Sequence, residues 1–477
     1  MRVKCRLNGG VSTDEKQFAC GAIFTPASLF ARSASQEGGA FLFYQEAVNY
    51  IKNIERSGSK YGIERMRELL ILLGEPDCHL KFVHVAGTNG KGSVCAYLTS
   101  ILRESGYKVG TYNSPSVFKY NERWLIDGQP LDDESVAKYL TVVKETIENE
   151  QTLRRAFGAE EFCPTAFEIE TAVAFLAFYD NDCDICVLET GLGGRWDATN
   201  VIYEKEIAVI TPIGLDHCAI LGDTVADIAK EKAAIAKDVA VSCEQADEIM
   251  RELAHPFDIV DGKPIYRNVR LEIASKPEIL SSNADGQTFE YNGKKYRIGM
   301  LGEHQTVNAS IAICAALQLR KKHWQISDEA IVSGLEKAVW RARLEIVKNA
   351  KEEFNITVPQ DKVLIFDGSH NPHGAKTLAD TLSKLFADKR IHLVMGVLKD
   401  KDVRGIVSTL APVCNEATCI TPPSARAMEK EDLLKIVSEF CDCACACDNT
   451  KVAVQNALNG SCDVVVLCGS LTLFADF

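Results

Sequence analysis

The stretch HVAGTNGKGSV, residues 84–94, decides the fold of this chain. It follows an apolar run and opens a segment with apolar residues at helical spacing, which predicts a strand, a glycine-rich turn and a helix. Glycines let the backbone approach an anion, amides at the helix start point toward it, and Lys91 supplies a cation. Val85 and Gly92 depart from the G-x-x-x-x-G-K-[ST] pattern. We therefore predict a nucleotide loop of a variant type rather than a turn without ligand.

Short apolar runs alternate with amphipathic helical stretches on both sides of this loop. Near-continuous apolar strands separated by helices predict a mostly parallel sheet that is covered on both faces. The predicted strands are residues 81–87, 108–114, 183–189 and 207–211 and, after a gap, residues 363–367, 391–397, 416–421 and 463–469.

The two blocks of strands predict two domains. Residues 350–362 between them are charged and weakly patterned, so we expect a linker near residues 344–360. The predicted fold class is α/β, with a larger domain over residues 41–345 and a smaller one over residues 346–477. A ligand cleft is expected between them. Residues 1–40 are poorly patterned, and we interpret them as a disordered extension or a start assigned too early.

The composition limits the partners of this chain. Its 477 residues include 53 Lys and Arg against 66 Asp and Glu, for a formal net charge of −13. The chain therefore lacks the excess of cations that nucleic acids and anionic membranes attract. No stretch approaches the ~18 uninterrupted apolar residues of a membrane span. We expect a cytoplasmic protein with small-molecule substrates.

The 18 cysteines do not suggest a disulfide framework. Several, such as Cys95, fall inside apolar runs, where a free thiol behaves as a small hydrophobic group, so we predict reduced thiols. One run has a period of two, which would place its sulfurs on one face of a strand. We interpret it as an apolar strand face, because structural zinc usually takes paired C-x₂₋₄-C hooks. This run is Cys441, Cys443, Cys445 and Cys447.

Glu189 and His217 each follow a predicted parallel strand, at the end where open α/β sheets bind ligands. A carboxylate beside a triphosphate is a natural ligand of Mg²⁺, which prefers hard oxygen donors. A lone histidine is more often structural, but the position of His217 just beyond the next strand favours a role in the same site.

Lys232 lies on an apolar helical stripe. In residues 223–237, Ile228, Lys232 and Ile235 share one face at spacings of four and seven. A lysine on such a stripe usually extends its ammonium group to water. Desolvation would instead lower its pKa and leave a neutral amine that can react. The pattern alone leaves both alternatives open.

The second block of strands carries a similar polar turn. FDGSHNP, residues 366–372, ends a predicted strand with Asp367 and His370, and Pro372 suits the first position of a helix. An Asp-Gly turn needs no function, so the residues alone also allow a purely structural interpretation.

Several long motifs occur together in the order of one known family. GTNGKGS resembles the ATP loop of the Mur ligase superfamily and, more closely, of its folylpolyglutamate synthase/dihydrofolate synthase branch. The resemblance covers about residues 43 to 470 and implies a larger P-loop NTPase-type ATPase domain followed by a smaller Rossmann-like domain. The other matching segments are SPSVFKYNER (114–123), LETGLGGRWDATN (188–200), ITPIGLDHCAILGDTVADIAKEKAAIA (210–236), LGEHQTVNA (301–309) and FDGSHNP (366–372).

The resemblance implies roles for individual residues. In that family the residues matching Ser114, Glu189 and His217 hold two magnesium ions, and the lysine matching Lys232 is carbamylated by CO₂. The implied catalytic residues are Lys91, Glu189, His217, Lys232 and His370. The implied ATP-binding residues are Gly87, Thr88, Asn89, Gly90, Lys91, Gly92, Ser93, Asn308, Arg343 and Asp367.

Two segments depart from the family pattern. Residues 114–117 are SPSV where the family usually has SPHL, and residues 340–343 are WRAR where it commonly has WPGR. Ser114 and Arg343 are present, so the implied metal and nucleotide contacts stand. These departures affect the expected shape of the loop near the acceptor. The stretch from Arg343 to Asp367 is also longer than usual.

The implied reaction is ATP-dependent amide formation. Transfer of the γ-phosphoryl group to a carboxylate gives an acyl phosphate, which the amine of L-glutamate attacks. The implied acceptor is a reduced folate, giving folylpolyglutamate, or dihydropteroate, giving dihydrofolate. ADP and phosphate are released, and we expect a monomer.

Two other classes of protein share part of this pattern. A cell-wall Mur ligase would have the same loop and the Glu189, His217 and Lys232 set, but such enzymes usually carry a UDP-binding domain before the loop, and too few patterned residues precede it here. A non-catalytic nucleotide-binding protein would need the loop alone.

Overall fold

The computed structural model describes residues 41–55, 62–260 and 262–477. The prediction for residues 1–40 lies outside the described residues. The α-helices are α1 (Tyr44–Glu55), α2 (Glu64–Leu72), α3 (Lys91–Glu104), α4 (Asp133–Phe157), α5 (Ala166–Asp180), α6 (Cys218–Leu221), α7 (Val225–Ala233), α8 (Asp247–Ala254), α9 (Glu303–Lys321), α10 (Asp328–Lys337), α11 (Ala350–Phe354), α12 (Pro372–Leu385), α13 (Val403–Leu410), α14 (Lys430–Val437) and α15 (Thr450–Asn459).

The strands form two large sheets and two small ones. They are β1 (Phe82–Ala86), β2 (Val109–Tyr112), β3 (Trp124–Ile126), β4 (Gln129–Pro130), β5 (Ile185–Glu189), β6 (Ile207–Ile210), β7 (Val239–Cys243), β8 (Phe257–Val260), β9 (Lys263–Tyr266), β10 (Arg270–Ala274), β11 (Glu278–Asn283), β12 (Gly286–Tyr291), β13 (Lys294–Ile298), β14 (Glu345–Ile346), β15 (Val363–Phe366), β16 (Ile391–Met395), β17 (Glu416–Cys419), β18 (Ala444–Ala446) and β19 (Val464–Cys468).

The larger domain is built on an eight-stranded sheet with the order β10-β7-β6-β1-β5-β2-β3-β4. The six strands from β10 to β2 run parallel, and β3 and β4 complete one edge in antiparallel pairs. Every residue of β1 and β5 is buried, because one helical layer containing α3, α9 and α10 covers one face and a layer containing α1, α4 and α5 covers the other. The predicted mostly parallel, doubly covered sheet is confirmed.

Helix α5 has apolar residues around its whole circumference, and its start is fixed by a capping box. Thr165 and Glu168 form a reciprocal capping box that satisfies two free amides at its start. Twelve of its residues are buried between the sheet and neighbouring helices, as expected for a helix without a polar face.

The smaller domain is a second α/β unit. Its six-stranded sheet has the order β14-β15-β19-β16-β17-β18, and all neighbours run parallel except β14 and β15. Two apolar clusters pack on its two faces. The carboxyl ends of its strands face the cleft, as do those of β1, β5 and β6 in the larger domain, since residues that follow β1, β5, β6 and β15 line one cavity.

The segment predicted to be a linker is part of the smaller domain instead. Strand β14 pairs with β15, and Val347, Phe354 and Ile356 are buried in the core of that domain. The predicted domain boundary, between residues 345 and 346, falls inside β14. The linker prediction is wrong because the few anchoring apolar residues are spaced irregularly among charged ones, which hides them from a periodicity argument.

The cysteine run does not form one apolar strand face, so that prediction is also wrong. Its strand, β18, has only three residues, two of them exposed, and lies at the edge of the sheet. Cys441 is buried, but Cys443 and Cys445 are exposed. All cysteines in the described ranges are free thiols. Among the helices of those ranges, none combines the length and apolar character that a membrane span requires.

Candidate active site

The glycine-rich loop wraps over the end of β1 and leads directly into α3. Gly87 and Gly90 have φ values of 151° and 87°, which side chains other than hydrogen tolerate poorly. A Cβ atom at Gly87 would lie 1.8 Å from Oγ1 of Thr211, at the end of the neighbouring β6. The loop therefore keeps its shape only with glycine there, and α3 begins at Lys91, with its first amides at the mouth of the cleft.

Gly92 occupies the position where a phosphate loop normally has serine or threonine. A Cβ atom there would lie 2.6 Å from the indole ring of Trp340. The space of the missing side chain is thus filled by an aromatic ring from the end of the larger domain. The next residue, Ser93, is buried and hydrogen-bonds through Oγ with Nε2 of Gln305 at 3.1 Å.

Lys91 and Glu189 lie together beside the loop. Nζ of Lys91 donates to the carbonyl oxygens of Gly87 and Thr88, both at 3.2 Å, and lies 3.9 Å from Oε1 of Glu189. Burial raises the pKa of Glu189, while the charge of Lys91 and the amide of Ser114, 3.3 Å from Oε2, act in the opposite direction. The structure therefore brings Lys91, Glu189 and Ser114 together beside the loop.

His217 lines the same cavity, and its side chain is more exposed than that of Glu189. Its side chain is 42% exposed, and its backbone has a φ of 52°. Among the described residues, its ring has an ion-pair contact only with Asp216, at 3.9 Å. Burial lowers the pKa of His217, so the imidazole is neutral near pH 7 and keeps a lone pair for a ligand.

Lys232 is buried, which resolves the alternatives left by its sequence pattern. The residue is 5% exposed and its Nζ donates to the carbonyl oxygen of Gly87 at 2.8 Å. Burial, and then the charge of Lys91, lowers the pKa of Lys232 to about 7. Ile228 and Ile235 are buried with it, although α7 ends at Ala233, so Ile235 lies beyond the helix.

Asp367, Arg343 and His370 form the opposite wall, on the smaller domain. The carboxylate of Asp367 is buried and accepts the backbone amides of Leu344 and Ser369, both at 2.9 Å. A Cβ atom at Gly368 would lie 2.2 Å from Nη1 of Arg343, so glycine leaves room for that guanidinium. Burial lowers the pKa of His370 to about 4, which keeps its ring neutral.

Asn308 completes the predicted set from helix α9. It is 2% exposed, and its Oδ1 would lie 2.4 Å from a Cβ atom at Gly90. Its Nδ2 donates to Oε1 of Gln305 at 3.1 Å, which links it to Ser93. All residues that the sequence analysis assigned to the site, from Gly87 to His370, line one cavity of about 370 Å³ between the domains.

Contacts across the cleft involve residues that the sequence analysis missed. Nδ2 of Asn89, on the loop, lies 3.0 Å from Nδ1 of His373, and Asn371 donates to Oδ1 of Asn89 at 3.3 Å. Asp216 accepts from Nζ of Lys401 at 3.0 Å, with side chains only 15% and 12% exposed. Burial acts to raise the pKa of Asp216, but the charges of His217 and Lys401 lower it to about 2.

The sequence signals for these cross-cleft residues are weak. Asp216 directly precedes His217, and Asn371 lies inside FDGSHNP, so both were within reach of the motif argument. Lys401 stands in a charged loop after β16 that resembles any other surface loop.

The two segments that depart from the family pattern meet in space. Val117 is buried in the apolar cluster of the smaller domain, and the next residue, Phe118, stacks on Phe354 with ring centroids 5.1 Å apart. The guanidinium of Arg341 lies 4.7 Å from the centroid of the Phe118 ring. The SPSV and WRAR departures are therefore neighbours at one interdomain contact.

A second cavity, of about 950 Å³, opens beside the first. The two share Ser114, Pro115 and the turn of residues 191–193. The second cavity has apolar walls that include Phe167 and Trp196. Its polar side chains include Arg123, Glu170 and Asp197.

Family models match the two domains separately. The Mur ligase middle domain matches residues 85–316, and the Mur ligase glutamate ligase domain matches residues 342–471. The second match begins three residues before β14, in agreement with the packing of that segment on the smaller domain. With the cavity between them lined by a phosphate loop and a buried carboxylate, the two matches define a Mur-type ATP-dependent ligase.

Individual relatives narrow this class. The chain is 35% identical over 449 residues to a dihydrofolate synthase/folylpolyglutamate synthase of Bacillus subtilis, covering 91% of this chain and 98% of that one. Its fold matches a Mycobacterium tuberculosis folylpolyglutamate synthase complexed with ADP and AMPPCP (TM-score 0.75, 29% identity, 90% and 98% covered). It also matches a bifunctional folylpolyglutamate synthase/dihydrofolate synthase with Mn, AMPPNP and L-glutamate bound (TM-score 0.70, 26% identity, 90% and 96% covered). The chain belongs to the dihydrofolate synthase/folylpolyglutamate synthase family.

Proposed function

We propose that this protein joins L-glutamate to the carboxylate of a folate and converts ATP to ADP and phosphate. The observation that carries the proposal is the single cavity in which the loop, Glu189, Lys232 and the Asp367 wall of the second domain converge. A ligase needs both walls, because the activated carboxylate and the amine must meet away from water.

The larger domain supplies the phosphate-binding side of the reaction. Amides at the start of α3 and Nζ of Lys91 face the mouth of the loop, so they would cradle the phosphates and neutralise charge as the γ-phosphoryl group moves. Asn308 packs against the loop at Gly90 and would hold it in the binding conformation.

The donor set beside the loop fits magnesium. Glu189 offers a buried carboxylate whose Oε2 meets only one weak backbone donor among the described residues, Ser114 offers a hydroxyl, and His217 offers a neutral ring. We propose that these three residues hold two Mg²⁺ ions. Bound magnesium would supply further positive charge to the transferring phosphoryl group.

We propose further that Lys232 is carbamylated. Its neutral amine can attack CO₂, forming an N–C bond and releasing one proton, and the product is an anion. The anion would lie close to Lys91, whose positive charge already acts on Lys232. It would thereby orient Lys91 and complete the metal site.

The second cavity is the proposed acceptor site. Its aromatic walls suit a flat heterocycle, and its polar groups offer both donors and acceptors. It joins the first cavity at Ser114 and residues 191–193, so an acceptor carboxylate that enters from it arrives beside the loop.

The proposed chemistry then proceeds in two steps. The acceptor carboxylate attacks the γ-phosphorus, the bond to the bridging oxygen of ADP breaks, and an acyl phosphate forms. The amine of L-glutamate, on the Asp367 and His370 side, attacks the acyl carbon, phosphate leaves, and a proton is lost from nitrogen. A neutral His370, with its pKa lowered to about 4, is able to accept that proton.

The test is mass spectrometry of the products from purified protein with Mg-ATP and glutamate. One reaction contains tetrahydrofolate and a parallel reaction contains dihydropteroate. Glutamyl-extended tetrahydrofolate supports the proposal, and dihydrofolate in the parallel tube identifies a second acceptor. Absence of both products with folded protein contradicts the folate assignment. We also propose a cytoplasmic monomer, which light scattering and cell fractionation test.

A further inference from the structure

The smaller domain carries a second cluster of potential metal ligands, away from the cleft. His392 is in the first half of β16, Glu416 begins β17, and Cys462 lies two residues before β19. These positions are at the amino ends of parallel strands. Asp367 follows the carboxyl end of β15, so the cluster lies at the end of the sheet that faces away from the cleft. One ligand atom from each of the three side chains lies within 4.8 Å of the others.

The ring of His392 is held with one nitrogen turned toward this cluster. Nε2 lies 2.8 Å from Oγ1 of Thr418. The residue is 8% exposed, and Nδ1 has no hydrogen-bond partner among the described residues. In the tautomer in which Nε2–H donates to Thr418, Nδ1 presents a lone pair. Histidine ligands of metals commonly donate their other ring nitrogen to a nearby oxygen in this way.

A carboxylate oxygen of Glu416, also a hydrogen-bond acceptor, lies opposite Nδ1 of His392. Its Oε2 lies 3.3 Å from Nδ1 of His392. The other oxygen, Oε1, accepts from Oγ of Ser461 at 2.7 Å and from Arg390 at 3.4 Å. A proton on Nδ1 or a cation between Nδ1 and Oε2 makes the contact of these two atoms favourable, and in the tautomer with Nε2–H donating to Thr418 that part falls to a cation. The Glu416 side chain is 25% exposed, which gives an ion a path from solvent.

We propose that His392, Glu416 and Cys462 bind a divalent transition metal, with Zn²⁺ as the expected ion. Imidazole nitrogen, carboxylate oxygen and thiolate sulfur are all zinc ligands, with bonds of about 2.0–2.3 Å. The 3.3 Å between Nδ1 and Oε2 is close to the ligand–ligand spacing around a tetrahedral ion. On binding, the S–H bond of Cys462 breaks, a sulfur–metal bond forms, and the proton leaves to solvent.

The ion would join three chain segments that are distant in sequence. It would tie the amino ends of β16 and β17 to the turn before β19 and leave a fourth coordination position for water. The role that follows is stabilisation of the smaller domain, since a ligand that binds the folded state alone raises stability. It does not depend on the proposed ligase activity.

The test uses Co²⁺ as a spectroscopic probe. The full chain, stripped with a chelator and kept reduced, is titrated with Co²⁺, and thiolate-to-cobalt charge-transfer absorption is measured. The predicted magnesium ligands contain no sulfur, so metal in the cleft does not give this band. We expect one band-forming Co²⁺ per chain, displaced by Zn²⁺. Cys462→Ser should abolish the band, and Cys443→Ser, which changes an exposed thiol, should retain it.

Two further variants keep the test decisive if Cys462→Ser lowers the stability of the domain. Glu416→Gln and His392→Gln preserve much of the side-chain volume, and each should weaken Co²⁺ binding at least tenfold while leaving the circular dichroism spectrum unchanged. No band in the wild-type protein, or a band that survives in Cys462→Ser, overturns the proposal. Cys414 and Cys441 have sulfurs 4.0 Å apart; a band lost only in Cys414→Ser would assign the thiolate to that pair and also overturn it.

Discussion

At the scale of single residues, the site depends on charges that are held close together without water. Lys91, Lys232 and Glu189 are gathered at the loop, and burial shifts the pKa of Lys232 down and that of Glu189 up. Both shifts act against the charged form of the group: that of Lys232 disfavours a positive charge and that of Glu189 disfavours a negative one. Incoming phosphates and metal ions would restore the charged forms, so the binding of these ligands and the protonation of the site are linked.

Lys91→Ala removes the cation that contacts the loop. We expect a fall in kcat on the order of 10²–10³, as for the loss of other groups that stabilise transition-state charge. The measurement is ADP release with saturating folate and glutamate. Lys108→Ala, at an exposed lysine just before β2, should retain activity. Near-normal turnover of Lys91→Ala would falsify the loop assignment.

Lys232 should react with CO₂ in a pH-dependent way. Its pKa of about 7 means that the amine is protonated and unreactive below that pH and neutral above it. Carbamate should therefore accumulate as pH rises through about 7, which ¹³C NMR with labelled bicarbonate can follow. Lys232→Arg should lose the signal. Lys230→Arg, on the more exposed face of the same helix, should keep it, and an unchanged spectrum in Lys232→Arg rules out the modification.

At the scale of elements, the phosphate loop is shaped by its neighbours as much as by its own sequence. Gly87, Gly90 and Gly92 are each required by a different neighbour: Thr211 of the next strand, Asn308 of α9 and the Trp340 ring. The variant loop is thus one component of a packed unit that includes α9 and the end of the larger domain.

Gly87→Ala tests this packing. The added methyl group would overlap Oγ1 of Thr211 at a φ of 151°, so the loop must shift. We expect ATP affinity to fall at least tenfold, measured by calorimetry with a non-hydrolysable analogue. Gly299→Ala is the matched control, because its Cβ atom would meet nothing within 4 Å and its φ is not positive. Equal affinity in both variants would show that the loop tolerates a side chain.

The elements themselves were predictable to different degrees. The apolar runs 183–189 and 463–469 contain β5 and β19 because a strand buried on both faces is apolar along its whole length. The period of two in the run Cys441–Cys447 led to a wrong prediction. Such a period indicates a buried strand face only where the strand is long enough to place several side chains on that face. The segment around Phe354 was misplaced because its anchors are held by partners distant in sequence, and local spacing carries no record of them.

The positions of the candidate site residues were more predictable than their contacts. Glu189 and Asp367 stand at strand ends, where topology alone brings ligands together. The link between Asp216 and Lys401 depends on how the two domains are oriented, and no local motif in a single sequence encodes that orientation. The exposure of His217 was likewise not foreseeable, because it follows from an irregular turn with positive φ.

At the scale of the whole molecule, the two domains are joined by contacts of unequal strength. The pair of Asp216 and Lys401 is largely shielded from water, whereas the pair of Glu303 and Lys384 has side chains 57% and 59% exposed. A shielded pair is costly to break because it leaves one charge buried without its partner, while an exposed pair contributes about 0–1 kcal/mol.

Lys401→Ala should therefore impair the assembly of the cleft. We expect kcat/KM for ATP and for glutamate to fall about tenfold, which corresponds to roughly 1.4 kcal/mol of transition-state stabilisation. Lys384→Ala, which removes the exposed cross-domain pair, should change both values less than twofold. Steady-state kinetics of the two variants give the comparison, and equal effects would show that the shielded pair has no special role in holding the domains together.

The side chain of Asn89 has a consequence for how substrates influence one another. It belongs to the loop that we propose binds the nucleotide, and it touches His373 and Asn371 of the other domain. A change in the conformation of Asn89 on nucleotide binding would therefore alter the free energy of domain docking. By reciprocity, if nucleotide binding favours docking, an amino acid that draws the second domain inward strengthens nucleotide affinity by the same factor. Cooperativity between two chemically unrelated substrates can thus arise within one polypeptide, without any second subunit.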